Sequence, residues 1–184
     1  PDFATLPEEL KYGHAGGSDV TVSQEHNWDF SGTANEAAGA MFVPRGKVTG
    51  GTSAINGQVF MRGLPEDFDR WVAWGNTEWT YLKVLPYFRK METDMDISDD
   101  FHGSDGPIPI RRYKRNEWPS LLEAFYKASV ALGFPEHPDM NNPGSLGVSP
   151  APMNNHEGIR MSTAVTHLNP FRHRLNLTIK ANVT

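Results

Sequence analysis

The chain has 184 residues, of which 38% are hydrophobic and 21% are charged, so the composition excludes a disordered protein. Seventeen basic and 22 acidic residues give a net charge of −5, which argues against binding to nucleic acid or to anionic membranes. The absence of cysteine excludes disulfides, thiolate nucleophiles and Cys-ligated zinc, and no apolar run is long enough to span a bilayer. We therefore expect a globular cytoplasmic protein.

The first forty residues are polar and show no periodicity, which predicts mostly irregular chain, with residues 26–30 forming a short strand or an extended segment. Residues 45–63 are rich in glycine. Gly50-Gly51 permits backbone conformations that other residues avoid, and Thr52-Ser53 is expected to cap a short helix whose free N–H groups would face an anion. Neither a Walker loop nor a G-x-G-x-x-G dinucleotide fingerprint occurs in the sequence.

Apolar residues recurring every three or four positions predict three helices after this segment. The first helix begins at Pro65 and ends near Gly75, and the second covers residues 80–92, where Pro86 predicts a kink or a broken first turn. The third covers residues 118–133. Its apolar face is expected to be buried and consists of Trp118, Leu121, Leu122, Phe125 and Leu132.

The remaining stretches are predicted as loops and short elements. Residues 93–106 form an acidic loop, and residues 107–111 an edge strand because two prolines exclude a central position. A loop over residues 134–158 precedes a helix from Ser162-Thr163 to about Phe171, and alternation over residues 175–180 predicts a strand. The expected fold class is α+β, with short strands, several helices and long loops.

Few side chains suggest acid–base or metal chemistry by their spacing. His156 and His167 have the chemistry of an acid or base, but a surface histidine of a loop or helix is the favoured interpretation. The stretch from Asp94 to Ser98 begins like a calcium loop, yet Asp99 stands where that loop requires glycine. We therefore expect a solvated acidic loop and no metal site.

The glycine-rich stretch PRGKVTGGTSAINGQVFMRG resembles the first signature of the glucose-methanol-choline oxidoreductases, a family of flavoproteins. The later stretches LPEDFDRWVAWGN, HGSDGPIPI and GIRMSTAVTHLNPFRHRLNLTI resemble its choline-dehydrogenase-like branch, so the resemblance covers about residues 26–184. One departure is Thr49, where the family usually has an apolar residue. The positions that fit the signature are Gly46, Lys47, Gly50, Gly51, Thr52, Ser53, Ile55, Asn56, Phe60 and Gly63.

The resemblance implies that the protein binds FAD. Some members attach the flavin covalently through a histidine at the position of Ile55, so it implies non-covalent FAD here. The family's catalytic histidine lies near the C-terminus and has no counterpart in this sequence, so no catalytic residue is assigned. The residues expected to bind the cofactor are Val48, Gly50, Gly51, Thr52, Asn56, Gly57, Gln58 and Val59.

The resemblance also implies a domain organisation. Residues 1–63 would be a flavin-covering segment of the FAD-binding domain, and residues 64–184 the incomplete first part of a substrate-binding domain. The chain would then be an internal piece of a longer enzyme, inactive without the missing N- and C-terminal segments. That enzyme would transfer hydride from a small alcohol or choline-like substrate to flavin N5, as a dehydrogenase or an oxidase.

An alternative remains open, in which the chain is a non-catalytic binding or interaction module that reuses the same domain. The coding region discriminates between the two hypotheses. An upstream G-x-G-x-x-G and a downstream segment bearing the catalytic histidine would favour the enzyme.

Overall fold

A computed structural model describes residues 5–12 and 25–183. Residues 1–4 and 13–24, which belong to the stretch predicted as irregular, lie outside the described residues. The chain forms two compact units, the first of residues 1–58 and 155–184 and the second of residues 59–154. Within this chain, the first unit ends after residue 58 and resumes at residue 155. The division after residue 63 that the resemblance implies for the full-length protein stays a prediction.

The structure contains short strands and several helices, so the α+β fold class is confirmed. The α-helices are α1 (Glu8–Lys11), α2 (Pro65–Ala73), α3 (Tyr81–Met91) and α4 (Ser120–Ala131). The strands are β1 (Ser31–Thr33), β2 (Ala40–Phe42), β3 (Glu92–Asp94), β4 (Ile108–Ile110), β5 (Asn155–His156) and β6 (Ile159–Arg160). Shorter helical turns comprise 3₁₀ segments at Gly51–Ala54, Thr77–Trp79, Arg115–Glu117 and Asn169–Phe171, and a π-helix at Ala164–Leu168.

The strands form three separate two-stranded sheets. The β1–β2 and β5–β6 pairs are antiparallel, and β3 pairs with β4 in parallel. None of the helices in the described residues is long and apolar enough to cross a membrane.

In the first unit, the β1–β2 pairing continues as extended chain beyond the two strands. The N–H of Val43 donates to the carbonyl of Phe30 at 2.8 Å, and the N–H of Trp28 donates to the carbonyl of Arg45 at 2.9 Å. The prediction of an extended segment at residues 26–30 is therefore confirmed. This pairing leads directly into the glycine-rich segment and fixes where that segment begins.

Within the first unit, β6 of the β5–β6 hairpin contacts α1. Its two turn residues, Glu157 and Gly158, both have positive φ angles, of 51° and 80°, as the tightest hairpin turns require. The helix predicted from residue 162 to 171 is present as the π-helix followed by a 3₁₀ turn.

The predicted strand at residues 175–180 is wrong. Residues 175–180 have no regular structure, and Leu175 is fully exposed. Alternation alone does not make a strand, because a strand also needs a neighbour, and the described residues provide none.

In the second unit, α2 and α3 enclose a small aromatic core. Pro65 occupies the first position of α2, where its missing N–H costs nothing, and Asp67 accepts a hydrogen bond from the N–H of Leu64 at 3.0 Å. Both predicted helices are confirmed, and α3 continues through Pro86 without a broken turn. The buried core consists of Phe68, Tyr81 and Val84, with Leu85 and Phe88 packed against it.

The β3–β4 pair confirms one prediction and corrects another. The edge strand expected at residues 107–111 is present as β4, and its Ile110 is completely buried. The acidic loop expected over residues 93–106 is partly wrong, because Thr93 and Asp94 belong to β3 and pair with Pro109 and Ile110.

The helix α4 is present as predicted, but its apolar stripe is not buried. Leu121, Phe125 and Leu132 are 77%, 66% and 79% exposed. The helix instead buries Tyr126, whose ring lies 5.0 Å from that of Trp118. The periodicity identified the apolar face correctly, but nothing in the described part of the chain packs over it.

Candidate functional site

A tight turn at Gly50 organises the glycine-rich segment. Its φ of 97° lies in the left-handed region, and a Cβ added there would lie 3.1 Å from the Cβ of Ala164. The carbonyl of Gly50 accepts hydrogen bonds from the hydroxyls of Ser53 at 2.6 Å and Thr163 at 3.3 Å. Glycine is therefore required both by the backbone angle and by the close approach of the segment that follows β6.

The predicted helix cap at Thr52-Ser53 is wrong. The 3₁₀ helix Gly51–Ala54 begins after Gly50, so both hydroxyl residues lie inside it. The Thr52 hydroxyl instead accepts from the N–H of Gly46 at 3.2 Å, and that of Ser53 binds the Gly50 carbonyl. These hydroxyls close the turn on itself rather than capping the helix.

Beyond this helix, Asn56 and Gly57 form an exposed surface with few side-chain atoms. A Cβ added at Gly57 would meet no atom within 4 Å. The Asn56 side-chain oxygen accepts from the N–H of Gln58 at 3.0 Å, which leaves its amide nitrogen available as a donor. The N–H of Gly57 also has no acceptor among the described residues. Two hydrogen-bond donors therefore stand together on an open surface.

Gln58 is held inward by its side chain. It is 3% exposed, and its φ of 65° is unusual for a residue with a Cβ. Its amide nitrogen donates to the Tyr12 carbonyl at 3.0 Å, and its oxygen accepts from the amide of Asn155. Such a conformation costs about 1–3 kcal/mol and persists where surrounding contacts over-determine it, as they do here.

Arg160 anchors the same segment from the protein interior. It lies at the end of β6 and is 5% exposed, and its acceptors among the described residues are all backbone carbonyls. Its Nε binds the Asn56 carbonyl at 3.1 Å, and a terminal nitrogen binds that of Ala54 at 2.5 Å. That nitrogen also reaches the carbonyls of Glu9 and Leu10 in α1, at 2.9 and 3.2 Å. Burial lowers the pKa of this guanidinium from its usual value.

The other predicted cofactor residues have different surroundings. Val48 and Gly51 are half-buried, Thr52 is exposed, and a Cβ at Gly51 would meet no atom within 4 Å. Val59 is 50% exposed and belongs to the second unit. The first unit thus brings together seven of the eight predicted residues, from Val48 to Gln58.

The second unit contains a buried charge network that sequence reasoning missed. It comprises three cationic and three anionic side chains, all of them buried, and the side chain of Asp94 is fully buried. Its centre is His102, whose Nδ1 lies 3.0 Å from Glu92 and whose Nε2 lies 3.0 Å from Asp139. The members are Arg62, His102, Arg112, Glu92, Asp94 and Asp139.

The protonation of this network follows from its geometry. Both ring nitrogens of His102 face carboxylates, so both carry a proton. Burial lowers the pKa of His102, but hydrogen bonds to Asp139, Asp94 and Glu92 outweigh it and raise the pKa to about 11. Burial raises the pKa of Asp94, but hydrogen bonds from His102 and Arg112 outweigh it and lower the pKa to about 2. The three positive and three negative charges therefore cancel.

The charged side chains of the network are buried and pair with one another, so its geometry indicates a structural role. No sequence spacing identifies it, because its members are scattered from residue 62 to residue 139. Of the histidines considered from sequence, His156 is partly exposed, and His167 contacts the neighbouring Thr166 hydroxyl at 2.7 Å.

The open surface at Asn56 and Gly57 fits a flavin. Its two donors suit the carbonyl-bearing edge of an isoalloxazine ring, and the missing Cβ at Gly57 lets a flat ring approach the backbone closely. The positive φ of Gln58, next to this surface, is held by the hydrogen bonds of its side chain to Tyr12 and Asn155.

Comparisons with curated relatives agree with this chemistry. An uncharacterised GMC-type oxidoreductase of Rhodococcus erythropolis is 41% identical over the whole chain, which covers 34% of that protein. The FAD- and quinone-dependent glucose dehydrogenase of Drosophila melanogaster is 43% identical over 78% of the chain and 23% of its own length. The oxygen-dependent choline dehydrogenase of Photobacterium profundum is 35% identical over 98% and 31%. The chain thus spans about a third or less of these relatives.

Solved structures show the same fold. Pyridoxine 4-oxidase from Mesorbium loti superposes with a TM-score of 0.82 at 30% identity, covering 96% of this chain and 35% of that protein. A formate oxidase of Aspergillus oryzae, at 23% identity and a TM-score of 0.73, shares the fold over 89% of the chain and 30% of its own length. The family model of GMC oxidoreductases matches residues 15–184. The chain therefore belongs to the GMC oxidoreductase family and lies within its N-terminal, FAD-binding region.

Proposed function

We propose that the full-length protein containing this chain is an FAD-dependent oxidoreductase that oxidises the CH–OH group of a small alcohol or choline-like molecule. The observation that carries the proposal is the open surface at Asn56 and Gly57 in a chain of the GMC family, where the described residues leave two donors without a partner and place no atom in the way of a Cβ at Gly57. Bound FAD would supply the hydride acceptor for the reaction.

The residues of the first unit have distinct parts in this proposal. The N–H of Gly57 and the side-chain amide of Asn56 bind acceptor atoms at the flavin edge. Gly50 and Gly51 shape the turn so that the backbone approaches the cofactor, with Val48 and Thr52 beside it. Gln58 contributes through its backbone, because its side chain is occupied by Tyr12 and Asn155. Val59 lies in the second unit, and its assignment to the cofactor stays a prediction from the sequence.

The cofactor is held without a covalent bond in this proposal. Some members of the family attach it through a histidine at the position of Ile55, and the hydrocarbon side chain of isoleucine has no nucleophilic atom. Denaturing the purified full-length protein should therefore release all of its flavin. Flavin that stays with the precipitated polypeptide would contradict non-covalent binding.

We also propose that a polypeptide of these 184 residues is inactive alone. The sequence contains no G-x-G-x-x-G motif, and the family's catalytic histidine has no counterpart in it. In the full-length protein, residues 1–63 would be the flavin-covering segment. Residues 64–184 would be the first part of a substrate-binding domain. Alcohol-dependent dye reduction by the 184-residue polypeptide would overturn the proposed inactivity.

The full-length protein provides the direct test of the function. It should purify with visible flavin absorbance, and a panel of primary alcohols, choline and sugars should include a substrate that bleaches the flavin without oxygen. A protein that contains flavin but is bleached by none of these classes would favour the non-catalytic binding module. A protein that binds no flavin would overturn both the cofactor and the function.

A pair of glycine substitutions tests the cofactor surface. We predict that Gly57→Ala weakens FAD binding by about tenfold, because its Cβ projects into the space assigned to the flavin and overpacking costs about 1–3 kcal/mol. Gly144→Ala is the matched control, since its Cβ would also be free of close contacts, its nearest neighbour being an Asn142 oxygen at 3.6 Å. Titration of apoprotein with FAD measures both dissociation constants. Equal affinity in the two variants would exclude Gly57 from the cofactor surface.

A further inference from the structure

The buried guanidinium of Arg160 lies in the stretch GIRMST, to which the proposed function gives no role. Arg160 is almost fully buried, yet the described residues place no carboxylate within salt-bridge distance of it. Its hydrogen bonds to the described residues all go to carbonyl oxygens, two of them in the glycine-rich segment and two in α1. Burying a charge without a counter-ion costs free energy, so we expect Arg160 to have a role beyond packing.

The hydrogen bond to the Asn56 carbonyl determines where the N–H of the same peptide group, which belongs to Gly57, points. In a trans peptide, the C=O and the following N–H point in opposite directions, and the described chain contains no cis peptide bond. Arg160 holds the Asn56 carbonyl toward the protein interior at 3.1 Å. The N–H of Gly57 is therefore directed outward, onto the exposed surface, where the described residues offer it no acceptor.

A second contact prevents this peptide from turning. The terminal nitrogen of Arg160 binds the Ala54 carbonyl and, at the same time, two carbonyls at the end of α1. The guanidinium is planar and rigid, so it fixes both ends of the stretch from Ala54 to Asn56 relative to α1. A lysine has one nitrogen in place of this fork and cannot hold both carbonyls in the same geometry.

We infer that Arg160 is a positioning residue, which aims the Gly57 N–H at an acceptor atom of the flavin by holding the Asn56 carbonyl. The inference rests on the proposed function, since it needs a flavin at this surface. Arg160 itself touches neither cofactor nor substrate. Its effect passes through one peptide plane.

Hydrogen exchange of the unmodified full-length protein tests the orientation without any variant. The Gly57 amide should exchange rapidly after FAD is removed, and its exchange should slow at least tenfold when FAD is added back. An amide protected in the apoprotein, or one that FAD leaves unprotected, would overturn the inference.

Substitution of Arg160 in the full-length protein tests the residue itself. We expect Arg160→Lys to weaken FAD binding by about tenfold, the effect of one misaligned hydrogen bond to the cofactor, and to alter the visible flavin spectrum and the midpoint potential. Arg160→Met should weaken binding further. Arg112→Lys is the control, because it replaces an equally buried arginine whose partners are carboxylates in the second unit.

The control separates positioning from loss of stability. The Arg112 variant should lower the melting temperature of the apoprotein while leaving the flavin spectrum and potential unchanged. An Arg160→Lys protein with wild-type FAD affinity, spectrum and potential would overturn the inference, even though the proposed function would stand. A wild-type protein without flavin would instead contradict the proposed function itself.

Discussion

The charge network around His102 and the open surface at Gly57 use polar groups in opposite ways. In the network, three cations and three anions are buried together and their charges cancel. At the open surface, the Gly57 N–H and the Asn56 amide face outward with no partner in the described chain. Buried charges that pair with one another hold a fold in one arrangement, whereas donors without a partner at an open surface are available to a ligand.

Arg160 and Arg112 bring the same contrast down to single residues. Both are 5% exposed, but Arg112 donates to Asp94 and Asp139, whereas Arg160 donates only to carbonyls. The charge of Arg112 is neutralised by its ion pairs in the second unit. Arg160 has no such ion pair among the described residues, and its donors orient the backbone of the first unit. Burial of an arginine is therefore no guide to its role until its acceptors are identified.

The largest effect is expected from removing the centre of the network. His102→Leu would leave the buried carboxylates of Glu92 and Asp139 short of a donor, and breaking such a pair costs about 3–5 kcal/mol. Urea unfolding followed by tryptophan fluorescence measures this loss, because the tryptophans at positions 71, 74, 79 and 118 lie in the second unit.

The control is His156→Leu, at a partly exposed side chain of β5, which should change the free energy of unfolding by no more than about 0.5 kcal/mol. If both variants lost the same stability, the network would not be the structural centre of its unit.

The dependence of the free energy of unfolding on pH tests the charge of His102 in the network. The pKa of His102 is raised from 6.5 to about 11 in the folded state, so its stabilisation is complete below pH 6.5 and is lost as the pH rises toward 11. The free energy of unfolding should therefore fall between pH 7 and pH 9, by at most about 1.4 kcal/mol per pH unit for one proton. His102→Leu should lack this slope. A wild-type protein with constant stability over that range would show that His102 is neutral.

The two regions also differ in how far the sequence predicts them. The turn at Gly50 and the start of α2 at Pro65 follow from local backbone requirements, which neighbouring residues reveal. The network does not, because its members lie up to 77 positions apart, from Arg62 to Asp139, and only the tertiary fold brings them together. The hydrogen bond from Arg160 to Asn56 likewise spans 104 positions. The α4 stripe shows the same limit, since periodicity identified an apolar face but not what covers it.

The smallest effect is expected from Gly50→Ala, which we compare with Gly57→Ala to separate the geometry of the turn from contact with the cofactor. Gly50→Ala places a Cβ in the left-handed region and close to Ala164, so it should cost about 1–3 kcal/mol of local stability. Hydrogen exchange of a peptide covering residues 46–56 in the apoprotein measures this loss. Gly57→Ala should leave that exchange unchanged, because its Cβ meets no protein atom. We expect both variants to bind FAD more weakly, and only Gly50→Ala to unfold locally. That result would show that the turn at Gly50 shapes the cofactor surface, whereas Gly57 leaves it open for the cofactor. Local unfolding in both would mean that Gly57 maintains the fold, and the contrast between a closed network and an open surface would then fail at this residue.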